Sequence, residues 1–160
     1  MDKELLRIDR MKYTKNKASS NLAYLAILFN VLYFVSIYST NISYYYSINM
    51  GASVVYNLLF LLATFLCSEG VKGYKLSYAI AIIAIGAMQI VRIFKIPLEA
   101  SRTVAVVSGV ERAVMETGQL VYVIILLCLS AAACVASGVI CVLRERSLTY
   151  YLEATEQNEG

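Results

Sequence analysis

The sequence predicts an all-α membrane protein: a four-transmembrane-helix bundle, both termini cytoplasmic, with a longer extracytoplasmic connection between the third and fourth helices. Three observations predict it. Of the 160 residues, 59% are hydrophobic and 16% charged, against about 25% charged in an ordinary soluble domain. The charges are segregated: Ala18–Ser68, Leu76–Val91 and Thr117–Leu143 run for 51, 16 and 27 residues without Asp, Glu, Lys or Arg. The basic residues, finally, collect at the termini and in one connection. An apolar run of about 18 or more residues reads as a membrane span. Soluble helices carry a polar face that these segments lack, and strands would be shorter and alternate with period two.

The opening stretch, "MDKELLRIDRMKYTKNK" (1–17), is basic. Lys3, Arg7 and Arg10 share a helical stripe, with Leu5 and Ile8 on another side. That pattern allows a short amphipathic helix on anionic lipid. Asp2, Glu4 and Asp9 dilute the charge, so a solvated basic tail that sets orientation is the expectation. The apolar run that follows is long enough to span and shows no small-residue cleavage site, so the first span is expected to be retained as a signal anchor.

The membrane domain is expected over 18–147. Its first run is interrupted by "STNISYYYSINMGAS" (39–53), giving two spans, Ser20–Ser39 and Ser53–Ser68, joined by a tight turn. The third span is Leu76–Ile96, closed by Pro97, and the fourth Gln119–Leu143. The fourth run measures about 40 Å at 1.5 Å per residue, so it must tilt or project. The tail 148–160, ending "EATEQNEG", is acidic, polar and expected to be disordered.

Orientation follows from the basic residues. Lys3, Arg7, Arg10, Lys12, Lys15 and Lys17 precede the first span, Lys72 and Lys75 lie in the second connection, and Arg144 and Arg146 follow the fourth. Arg92, Lys95, Arg102 and Arg112 lie at or in the third. Ten against four places both termini in the cytoplasm of a cell bearing the protein in its plasma membrane. Tyr44–Tyr46 suit the opposite interface, and the "NIS" sequon at 41–43 is incidental.

On this orientation "QIVRIFKIP" (89–97) faces outward against the charge bias. A helix of spanning length leaves Arg92 about one turn below its end, from where a guanidinium can snorkel to the headgroups. The third connection, "LEASRTVAVVSGVERAVMETG" (98–118), carries Glu99, Glu111 and Glu116. Arg92–Glu116 is the expected structural ion pair, with Glu111 as substitute; Arg112–Glu116 is spaced i, i+4 in the less favourable order. Val104, Val106, Val107 and Val110 predict that this connection lies on the membrane or against a partner.

The residues exclude much chemistry. There is no histidine, hence no usual general base near neutral pH and no Ser-His catalytic pair. Asp2 and Asp9 are the only aspartates. Cys67, Cys128, Cys134 and Cys141 form no C-x-x-C pair and read as small apolar residues. No phosphate-loop spacing occurs at Gly70 and Gly73. No span carries a carboxylate of the kind ion-coupled transport uses; Glu69 sits beside Lys72 and Lys75 in what reads as a solvated connection. No catalytic residue, cofactor, metal or nucleic-acid partner is expected.

What remains is packing. Ser130–Cys134–Gly138 and Ala133–Ser137–Cys141 form two small-residue ladders at four-residue spacing. Small residues let backbones approach in lipid, where apolar burial gives helices little reason to associate. The third span has its own run: Ala79, Ala81, Ala84, Gly86 and Ala87. Contact between these two helices is one reading, and a surface for another membrane subunit the other. Asn30, Asn57 and Gln89 are the amides within spans; Asn57 and Gln89 fall at similar depth and are expected to pin helices, with an amide-lined pathway as the other reading. The expected function is non-enzymatic: an integral subunit, scaffold or accessory component of a larger membrane assembly, for instance beside a transporter such as an ABC permease. The alternative is a small homo-oligomeric channel or carrier, with the amides lining a path and Arg92 attracting anions. Its expected partners are the lipid bilayer and other integral membrane subunits or copies of itself.

Overall fold

The computed structural model describes residues 3–11, 13–38, 48–95, 97–107 and 109–159. These form α1 (Lys3–Met11), α2 (Lys17–Tyr38), α3 (Ile48–Lys72), α4 (Leu76–Lys95), α5 (Pro97–Arg102), an antiparallel hairpin of β1 (Val104–Val107) and β2 (Val110–Ala113), and α6 (Thr117–Glu159). Four helices are long and apolar enough to cross a membrane, which is the signature of a multi-pass membrane protein. The tyrosine patch 44–46 and the sequon 41–43 lie outside the described residues.

Local chemistry sets the helix ends. The Asn16 side chain accepts the Ser19 amide at 3.3 Å, an N-cap for α2. Asn16 also donates its own backbone N–H to Lys72 O at 3.0 Å, tying the start of α2 to the end of α3. Pro97 stands first in α5, where its missing N–H costs nothing. Gly109, at φ 79°, supplies the left-handed residue in the hairpin turn. α3 closes differently. Tyr74 takes φ 56° where glycine is usual, while Tyr74 N donates to Val71 O and Lys75 N to Gly70 O.

Three elements differ from the expectation. α3 begins earlier and ends later than Ser53–Ser68, so Glu69 and Lys72 are helical; they pair with each other, and Tyr24 donates to Glu69 Oε1 at 2.8 Å. α6 does not stop near Leu143 but continues to Glu159, so the stretch expected to be disordered is helix through 159. Its Leu, Glu, Ala and Gln are good helix formers, and nothing in 148–159 breaks a helix already under way. The opening segment is the helix α1, whose Ile8 and Met11 are half-buried and which packs on α6.

α6 and α3 each pack on α2 and α4, and touch one another far less, so they lie across the diagonal of a four-helix arrangement. Two apolar cores form. One joins Ala23, Ala26, Phe60, Ala79, Ile82 and Cys134 towards the α1 end. The other joins Tyr33, Ile37, Met115, Val123 and Leu127 beneath α5 and the hairpin, with Ala100 and Val114 closing it. Between them the chain places its polar residues.

Candidate functional site

The site is a buried polar layer on which α2, α3, α4 and α6 converge. Asn30, Asn57, Gln89 and Ser130 are each no more than 1% exposed. Asn30 is the hub. Its Nδ2 donates to Asn57 Oδ1 at 3.3 Å, and its Oδ1 accepts from Gln89 Nε2 at 2.9 Å and from Arg92 at 3.4 Å. Gln89 Nε2 also lies 3.5 Å from Ser130 Oγ, which donates to Ala26 O at 3.0 Å. Asn57 Nδ2 donates to Ser53 O at 2.9 Å. Asn57 and Gln89 thus meet through Asn30 rather than directly, and all three amides occupy one depth.

Arg92 does not snorkel. It is 4% exposed, its Cζ 4.2 Å from the Tyr33 ring centroid and 4.6 Å from that of Tyr56. The reason is the direction of a helical side chain. Every Cα–Cβ bond leans towards the helix N-terminus, and Arg92 lies near the C-terminus of α4. Its side chain therefore starts inward, towards the Gln89 layer, and the nearer membrane surface lies behind it. A guanidinium over tyrosine faces gains up to about 2 kcal/mol per ring where water is excluded, and the Asn30 amide oxygen accepts from it.

The pairing of Arg92 with Glu116 is accordingly not formed: Glu111 and Glu116 are exposed, and no ion pair among the described residues joins either to Arg92. The charge-free runs Ala18–Ser68, Leu76–Val91 and Thr117–Leu143 supply no carboxylate, so π faces and amide oxygens do what an acidic residue would do in a soluble core. Sequence spacing held part of this. Gln89 and Arg92 are at i, i+3, as are Asn30 and Tyr33, so each pair shares a helix face. That Tyr33 and Tyr56 would sandwich the guanidinium depends on α2, α3 and α4 meeting.

The small-residue ladders face inward. Ser130, Cys134, Ser137 and Cys141 are fully buried, and Ala133 nearly so. Ser137 Oγ donates to Ser19 O at 2.7 Å, and Cys141 Sγ lies 3.7 Å from Val71 O. At Gly138 a Cβ would fall 2.4 Å from Ile83 Cγ1 and 2.7 Å from Ala79 O; at Gly86 it would fall 3.0 Å from Cys134 Cβ. The two glycines let α4 and α6 approach, so of the two readings of the ladders the structure uses the intramolecular one. Cys128, by contrast, is exposed on the outside of α6, and all four cysteines are free.

Chemically the layer can bind helices together and fix their depth. Gln89 Oε1 is the one amide oxygen of the three amides left without a hydrogen bond among the described residues. Comparison with protein-family models, with curated proteins and with solved structures found no match.

Proposed function

We propose that the chain is a non-enzymatic integral subunit or scaffold of a larger membrane assembly, with a transporter as the first assembly to test. One observation carries the reading. The β1–β2 hairpin, outside the apolar spans, leaves Val104, Val106 and Val110 58%, 70% and 55% exposed. A lone two-stranded sheet is marginal in water, both its strands are edges, and exposed apolar edges are where a partner adds a strand or packs a side chain. The small-residue ladders no longer support an external partner, since they serve α4 and α6 of this chain. The amides of the polar layer bond to one another, which favours pinning over a permeation path.

We propose that both termini are cytoplasmic, on the ten-to-four distribution of basic residues, and that the membrane is the plasma membrane. Native purification in a mild detergent tests the function. Other membrane proteins are expected to co-isolate stoichiometrically, and the triple variant Val104→Thr, Val106→Thr, Val110→Thr is expected to lose them while keeping its helices. A pure homo-oligomer that conducts a small solute in liposomes would replace the subunit reading with a channel.

A further inference from the structure

At the other end of the bundle, α1, the loop before α2, the turn after α3 and the outer part of α6 enclose a cleft of about 750 Å³. Its chemistry is divided. Arg10, Lys15 and Arg144 supply positive charge, and Leu6, Met11 and Leu143 supply apolar wall. None of the described residues lining it is acidic. Three like charges around one cleft repel one another, a cost that an anion between them would remove. Nearby Glu69 is held by Lys72 and Tyr24 and also lies within electrostatic reach of Lys15.

Two further features bear on the cleft. Arg144 is held in place: its NH1 donates to Asn16 Oδ1 at 2.7 Å, and Asn16 is fixed by Ser19 and by the end of α3. Tyr74, which also lines the cleft, has the left-handed backbone that a tyrosine adopts only at a cost. Strained residues persist where their surroundings hold them and gather at functional sites.

We propose that this cleft binds an anionic phospholipid, its phosphate among Arg10, Lys15 and Arg144 and the start of an acyl chain along Leu6, Met11 and Leu143. The apolar wall favours a lipid over a free anion, and the place favours it too. The cleft sits where α2 and α4 begin and α3 ends, at the level where headgroups meet the ends of spanning helices. Basic pockets at this level hold anionic headgroups through charge, and each Lys or Arg near the surface contributes about fivefold in affinity. The inference does not depend on the subunit reading, since a lipid can occupy the cleft whatever the partner.

The test uses the full chain purified in neutral detergent, with phosphatidylglycerol and phosphatidylcholine titrated in separately. Native mass spectrometry reads the bound lipid. Phosphatidylglycerol is expected to bind in preference, and the double variant Arg10→Gln, Lys15→Gln to bind it about 25-fold more weakly. Among the described residues neither side chain makes a hydrogen bond or an ion pair, so that variant is expected to unfold at the wild-type temperature. Lys95→Gln with Arg102→Gln, at the opposite end, is expected to bind like wild type. Equal retention of phosphatidylcholine, equal loss in the Lys95/Arg102 control, or displacement of the lipid by millimolar inorganic phosphate would each overturn the assignment.

Discussion

Arg92 lies about one turn from the end of α4, yet among the described residues it is the one charged side chain that is buried. Removing it should expose what it does. Arg92→Ala empties the space between Tyr33 and Tyr56 and takes a donor from Asn30, and is expected to destabilise by about 1–3 kcal/mol. Arg92→Met keeps most of the volume without a buried charge and is expected to cost less than about 1 kcal/mol. Thermal unfolding in detergent compares the two; equal losses would mean that charge, not filling, holds the helices. A double-mutant cycle on Asn30→Ala and Gln89→Ala reads the hub bond, with an expected coupling of about 0.6–2 kcal/mol. Tyr74→Gly relieves a left-handed non-glycine residue and is expected to stabilise by about 1 kcal/mol; a loss would show that its ring matters to packing more than its backbone costs.

The helix pair α4–α6 rests on two glycines, and these rank differently. A Cβ at Gly138 would meet both the Ile83 side chain and the Ala79 carbonyl well inside contact distance, whereas at Gly86 the closest approach is 3.0 Å. Gly138→Ala is expected to cost about 3 kcal/mol because backbone must move, and Gly86→Ala about 1 kcal/mol. Gly51 has nothing within 4 Å of such a Cβ, so Gly51→Ala, near the start of α3, is expected to be neutral or to stabilise by up to about 1 kcal/mol. Chemical denaturation of the three variants orders them, and a Gly86 loss exceeding that of Gly138 would contradict the geometry. The small-residue runs of α4 and α6 left two readings open, contact with each other or with another subunit. The close approaches at Gly86 and Gly138 decide for the first.

For the whole molecule, the cysteines report whether α6 is immersed. Cys128 is exposed in the middle of an apolar stretch, while Cys67, Cys134 and Cys141 are buried. In intact vesicles a membrane-impermeant maleimide is expected to label none of the four, and to label an introduced thiol at Ser147→Cys, exposed on α6 beyond its apolar run, from one side only. Labelling of wild-type Cys128 would contradict immersion of that helix, and the side from which Ser147→Cys reacts decides orientation. The four spanning helices were legible in the sequence, because an apolar run without charges has few alternatives in or out of a bilayer. The lengths of α3 and α6 were read less well, since a helix continues past the charge that ends its apolar stretch for as long as its residues permit. The local sequence determined which segments are apolar, where the small residues recur and that Arg92 sits near a helix end. Only the tertiary structure decided that Arg92 turns inward, that Asn30 unites the amides and that the ladders serve this chain. The reason is that hydropathy is a property of one segment, whereas a buried charge takes its place from the side chains that two other helices bring to meet it.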